Sequence, residues 1–263
     1  MQLISCHNGR IFTATCDEQV AIQRTFVTCL SALDELAPNG RFMRGAIHEL
    51  LVDPSEGLPR FVAMMFARAA ARKTIGGTDI PVGSLIRIGC RSTDLRHRQE
   101  CLRHQIIWCD PTAELYPPAI APFIPLEHLY LLHPKKLADE SWAIAECLRC
   151  KGVGAVIAAP SRLSRIESRR LQLAAERGGG VGILLRHLDR GANVYAASTR
   201  WLVSPCPGEP TVQKWKIQLI HGHGGRVGQA VILEHHRETN LVRATEQLVD
   251  RSVSAPTAIR ASA

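Results

Sequence analysis

Arg162, Arg165, Arg169 and Arg170 fall at three- and four-residue spacings along a segment with helical character, so a helix there sets them on one face. Guanidinium groups in such a stripe either bind phosphate oxygens or form a solvated cationic face, and the residue types allow both. No helix-turn-helix or other base-reading module accompanies them, so DNA contact at this stripe is expected to be weak and sequence-independent. The sulfur and imidazole groups point to less. Cys147-Leu148-Arg149-Cys150 is a lone C-x-x-C without the second pair that a zinc site needs. Cys90, His97, Cys101, His104 and Cys109 fit no standard finger spacing, and His221, His223, His235 and His236 read as sheet-edge and turn histidines of the kind that usually bind no metal. No metal and no cofactor is expected.

The chain has 263 residues, 46% hydrophobic and 21% charged, a balance that suits a globular α/β core with appendages. Nine cysteines, an odd and scattered set, argue for reduced thiols rather than a secreted disulfide framework. The longest apolar runs, such as Val153 to Pro160, are too short to span a bilayer, and the amino end lacks the pattern of a secretory signal. A cytoplasmic protein is expected. Its net charge of +8 suits an acidic partner or nucleic acid, and equally plain solubility.

The elements that must position these groups follow from periodicity. Glu18 to Leu36 has apolar residues near a helical repeat, and the segment breaks at Pro38-Asn39-Gly40. Ala46 to Val52 reads as a strand, followed by a turn-rich loop and a helix over Arg60 to Arg72. Residues 73–104 are polar and basic and read as an inserted loop or hairpin. Apolar strands are then expected at Gln105 to Cys109, His128 to Leu132, Gly154 to Ala159 and Val181 to Leu185, with helices over Lys136 to Cys150 and Ser164 to Arg177. Near-continuous apolar strands alternating with helices imply a mainly parallel sheet covered on both faces. After Gly191 the pattern becomes strands joined by Gly/Pro turns: Ala197 to Ser204, Gln213 to His221 and Gln229 to His235, an antiparallel extension. From about Arg237 a short helical piece and a small-residue tail are expected. The organisation is thus a helical lead-in over 1–40, a core over 41–236 and a tail, partly disordered, over 237–263.

Ser31 to Leu51 resembles the entry of a RecA-type core, with Leu33 and Asp34 before a turn carrying Gly40, then Gly45 and the strand residues Ile47 and Glu49. Within that superfamily the run Gly45-Ala46-Ile47-His48-Glu49-Leu50 is similar to the Gly-Ala-x-His-Glu-Leu run of the ImuA family, accessory factors of bacterial mutagenic DNA repair. Trp142 to Cys150, Ser168 to Ala175, Thr199-Arg200-Trp201 and Trp215 to Leu219 continue the likeness in collinear order. It covers about residues 30–235 without the 73–104 insert, and its specificity lies in the set rather than in any one motif.

The resemblance implies a RecA-like P-loop NTPase core, and its phosphate loop would follow the Ala46 to Val52 strand. A working loop of frame G-x-x-x-x-G-K-[ST] needs a lysine for the β- and γ-phosphates and a hydroxyl for Mg²⁺. Val52-Asp53-Pro54-Ser55-Glu56-Gly57-Leu58-Pro59 occupies that frame, and only Gly57 agrees. Leu58 brings no charge, Pro59 brings neither hydroxyl nor N–H, and Asp53 and Glu56 repel triphosphate. At the end of the Ala155 to Pro160 run, Ala159 stands where ATPases of this type carry a metal-organising Asp. Arg60 as a replacement cation and Asp110 as a catalytic acid are weaker readings than a solvated arginine and a turn residue before Pro111. A non-catalytic protein is expected.

Through the resemblance, the expected role is that of an accessory protein in SOS-induced translesion synthesis. Its partners would be an ImuB-type Y-family polymerase homologue, an error-prone C-family DNA polymerase and RecA, with nucleoid association during DNA damage. Two other classes stay open: a RecA-like ATPase or recombinase, which ATP turnover would reveal, and a SulA-like cell-division inhibitor, which would filament cells on overexpression.

Overall fold

The computed structural model describes residues 3–7, 10–14, 24–72, 85–87, 104–160, 162–188 and 197–246. Its strands in chain order are β1 (Leu3–His7), β2 (Arg10–Ala14), β3 (Thr25–Phe26), β4 (Phe42–Met43), β5 (Ile47–Val52), β6 (Leu85–Arg87) and β7 (Gln105–Cys109). Then follow β8 (Leu129–Leu132), β9 (Val153–Ala158), β10 (Val181–His187), β11 (Thr199–Cys206), β12 (Val212–Gly222), β13 (Ala230–His236) and β14 (Leu241–Glu246). The α-helices are α1 (Ser31–Asp34), α2 (Arg60–Ala71), α3 (Pro117–Ile120), α4 (Glu140–Arg149) and α5 (Arg165–Gly178).

Ten strands form one sheet in the order β6-β14-β13-β12-β11-β5-β10-β9-β7-β8. The block from β11 to β8 is parallel throughout, and the pairings from β11 to β6 are antiparallel. The mainly parallel α/β sheet with an antiparallel extension thus matches the pattern of apolar runs. Every residue of β5 and β9 is buried, as a parallel strand covered on both faces requires. On one face Leu50, Ala155, Ile157, Ile183 and Leu185 pack with Val62 and Phe66 of α2. On the other, Ile47, Val156, Ala158 and Leu184 pack with Ile144 and Leu148 of α4 and Leu171 and Ala175 of α5. In β13, and in β12 at Ile217 and Leu219, buried residues alternate with partly exposed ones, as befits a sheet half in water.

Three expectations need correction. The helix expected over Glu18 to Leu36 is absent where the chain is described: Thr25–Phe26 is a strand paired with Phe42–Met43, and only Ser31–Asp34 is helical. Tertiary packing overrides the helical period there, because Phe26 stacks on Phe42 with ring centroids 5.3 Å apart. β1 and β2 form an antiparallel hairpin within the region expected to be a helical lead-in. The helical piece expected after Arg237 is instead β14, whose Val242 and Ala244 are buried while Arg243 and Thr245 are exposed. Of the 73–104 insert the described part includes β6, which joins the sheet beside β14. The tail beyond residue 246 lies outside the described residues. Among the described residues no helix is long and apolar enough to cross a membrane.

α5 is set by local chemistry. Ser164 and Glu167 form a reciprocal capping box, the Glu167 N–H donating to Ser164 Oγ at 3.2 Å and the Ser164 N–H to Glu167 Oε2 at 2.9 Å. The helix ends on Gly179 in the left-handed region, φ 80°, whose N–H donates to Ala175 O. Ser141 Oγ donates to Glu167 Oε1 at 2.8 Å and ties the start of α4 to that of α5.

Candidate functional site

β5 is flanked by β10 and β11, while the next core strand in sequence, β7, lies beyond β10 and β9. The chain therefore leaves β5 to one side and reaches β11 on the other, and such a switch point is where open α/β sheets bind ligands, at the carboxyl ends of the strands. The loop at that end of β5 is 53–59. Asp53 Oδ1 accepts from the Ser55 N–H at 3.0 Å and Ser55 Oγ at 2.6 Å, and the Glu56 N–H donates to Asp53 O. The acidic side chain and the turn thus occupy donors that a phosphate would otherwise use. Val52 is buried, Gly57 is exposed, Leu58 is half-buried against the core, and Pro59 is a buried N-cap of α2 with no side-chain cap bond. Arg60 turns to Glu114, 3.4 Å away across an exposed surface. Ala159, just past β9, packs half-buried against the core.

Asp110, just past β7, is buried and closes a turn: one carboxylate oxygen accepts from the Leu115 N–H at 2.8 Å, the other from Thr112 Oγ1 at 3.3 Å. Burial and the neighbouring Glu140 carboxyl push the Cys109 thiol up to about 12, which keeps it a protonated core residue.

The motif residues of β5 and β11 meet side by side, with Thr199 opposite His48, Arg200 opposite Glu49 and Trp201 opposite Leu50. His48 is fully buried; its Nε2–H donates to Met43 O at 2.9 Å and its Nδ1 accepts from Thr199 Oγ1 at 2.7 Å. Met43 O can only accept, which fixes the imidazole tautomer, and Thr199 Oγ1 in turn accepts from Trp201 Nε1–H at 2.7 Å. Burial pushes His48 down to about 4, so the chain of hydrogen bonds is neutral. On the opposite face Glu49, 2% exposed at its side chain, holds two arginines: Arg200 Nε at 2.8 Å and Arg186 Nη1 at 3.2 Å. This clamp joins β10, β5 and β11 through one carboxylate. The His-Glu pair inside an apolar strand was the available sequence signal for it, but nothing local named the partners. Both residues knit strands together.

The arginine stripe is only partly as spaced. Arg165, Arg169 and Arg170 line a groove of about 500 Å³ on the outer surface of α4 and α5, joined there by Arg149 and Arg177. Arg162 is exposed in the segment before α5 and is not among the residues that line it. Ile166, 76% exposed, and Leu173, 37% exposed, lie between the guanidiniums. Their i, i+7 spacing, with Arg169, Arg170 and Arg177 three or four residues away and Arg165 next to Ile166, places these residues on one outward face of α5. Arg149 pairs with Glu146, and Arg169 Nη1 donates to Gln172 Oε1 at 2.7 Å. Among the described residues no salt bridge engages Arg165, Arg170 or Arg177.

No family model matches the chain. It is similar to Protein ImuA of Caulobacter vibrioides, strain NA1000 / CB15N, at 26% identity over 174 residues, 59% of this chain and 71% of the relative. Protein ImuA of the strain ATCC 19089 / CB 15 of the same species matches to the same extent.

Proposed function

We propose, from its likeness to Protein ImuA, that the chain belongs to the ImuA family and is a non-catalytic RecA-like accessory protein of damage-induced translesion synthesis. In this reading it works in the cytoplasm, at the nucleoid during damage, by holding protein partners: an ImuB-type polymerase homologue, an error-prone C-family polymerase and RecA. The observation that carries the non-catalytic part is the 53–59 loop. It occupies the strand-to-helix turn at the switch point, and in place of a lysine and a hydroxyl it presents Leu58 and Pro59 beside two exposed acids. The switch-point position of β5 supports the RecA-like assignment, and the collinear motifs meeting on β5 and β11 support the family reading.

Two measurements test it. The melting temperature should not move with millimolar Mg-ATP, whereas a ligand at a hundred times its dissociation constant adds about 2.7 kcal/mol. A clear rise, or phosphate release above background, overturns the non-catalytic reading. Deleting the gene in its native host should abolish damage-induced mutagenesis while leaving spontaneous mutation unchanged; an unchanged induced frequency overturns the accessory role.

A further inference from the structure

We propose that the α4–α5 groove is a docking site for an acidic amphipathic helix of a partner protein, with Ile166 and Leu173 receiving its apolar side chains. The proposal rests on the reading that this chain acts through protein partners. Five arginines line the groove, yet its centre is apolar. Nucleic-acid backbone needs the cations but makes no use of an exposed Ile166 and Leu173 one below the other on the helix. An apolar centre ringed by arginines, by contrast, is the composition of a protein interface, where apolar anchors are desolvated and guanidiniums take carboxylates two oxygens at a time. Lone exposed apolar residues are common on protein surfaces, but two in one groove between cations are not scattered. α5 is also a rigid platform, fixed by its capping box at one end and Gly179 at the other.

Charge decides the occupant. A second copy of this chain, at net +8, is a poor complement. Residues 251–263 contain two arginines and no acid, so that stretch does not supply it. An acidic helix with apolar residues at i and i+7 satisfies both halves of the groove.

The test uses the purified full chain and three fluorescein-labelled probes. They are a glutamate-rich helical peptide with leucines in register at i, i+3 or i+4 and i+7, a shuffled peptide of the same composition, and a duplex oligonucleotide of matched charge. The patterned peptide should bind at least about tenfold tighter than the shuffled one. Replacing Ile166 and Leu173 together with Ala should weaken it by about tenfold, the range expected for interface anchors, and leave duplex binding unchanged. Arg165→Ala with Arg169→Ala should weaken it and reduce its salt dependence. Equal binding of both peptides, absence of peptide binding, or preference for the duplex with indifference to Ile166 and Leu173 would each overturn the proposal, the last restoring the phosphate reading. Circular dichroism of these surface variants checks that they fold. Mutagenesis in the host separates the two ideas. Loss of the accessory role with intact peptide binding sinks only the function, and a chain that supports mutagenesis but ignores the peptide sinks only the groove.

Discussion

Glu49 is the residue on which three adjacent strands of the central sheet converge. Its carboxylate, almost wholly out of water, is balanced by guanidiniums on both neighbouring strands, Arg186 with 17% and Arg200 with 14% of the side chain exposed. A buried ion pair adds little over an apolar replacement, but removing one partner strands the other charges in a low-dielectric site. Glu49→Ala is therefore expected to destabilise the protein by about 3 kcal/mol, at the low end of the 3–5 kcal/mol typical of broken buried pairs because the arginines keep some access to water. Urea denaturation reads this as a lower midpoint at unchanged slope; a shift below about 1 kcal/mol would mean the arginines relax into solvent. This clamp was not legible in the sequence. Its bonds join residues 137 and 151 positions apart, and no local period encodes such a pairing. The strand-turn-helix run from Ile47 to Ala71, by contrast, was legible because its residues are contiguous.

At the scale of elements, the strands of the parallel block were legible because two-sided burial writes itself as an unbroken apolar run, as in Val153–Ala158. The amino-terminal strands were not: Val20, Ile22 and Phe26 suit a helix locally, and only Phe42, distant in sequence, makes the Phe26 segment a strand. The face of α5 was half legible. The arginine spacing stood in the sequence, whereas the contribution of Arg149 depends on how α4 meets α5. That meeting hinges on Gly178. A Cβ there would collide with the Leu148 carbonyl oxygen and lie 2.8 Å from the Arg149 carbonyl carbon, both backbone atoms that cannot swing away. Gly178→Ala should push α5 off the end of α4 and lower stability by about 1–3 kcal/mol, as overpacking does. A fall in melting temperature checks it, and the same variant should bind the patterned peptide more weakly because Arg149 and Arg177 separate.

In the whole molecule, two buried groups pull stability against acid in opposite directions. Burial holds His48 down to about 4 from an ordinary 6.5, so its contribution is full above 6.5 and is lost as pH falls towards 4. Asp34 is pushed the other way: burial, only partly offset by hydrogen bonds from Thr28, raises it to about 6 from 3.8. Its contribution is full below 3.8 and is lost as pH rises through 6. Between pH 4 and 6 the two slopes oppose. Asp34→Asn keeps an oxygen for the Thr28 donors but removes one slope. Stability of the variant should then fall more steeply with acid than that of the parent, by about 1.4 kcal/mol per pH unit. Urea titrations across that window measure it, and parallel slopes for the two proteins would refute it. The sequence separations spanned by the Glu49 clamp also set a delay during synthesis. β5 emerges before its neighbours, all six of its residues destined for burial, and the arginines that clamp it follow 137 and 151 positions later. At roughly 5–20 residues per second the strand waits about 7–30 s with both edges open. Through that interval the nascent chain carries an apolar template for wrong pairing, and its yield in the cell depends on what shields β5 until β10 and β11 arrive.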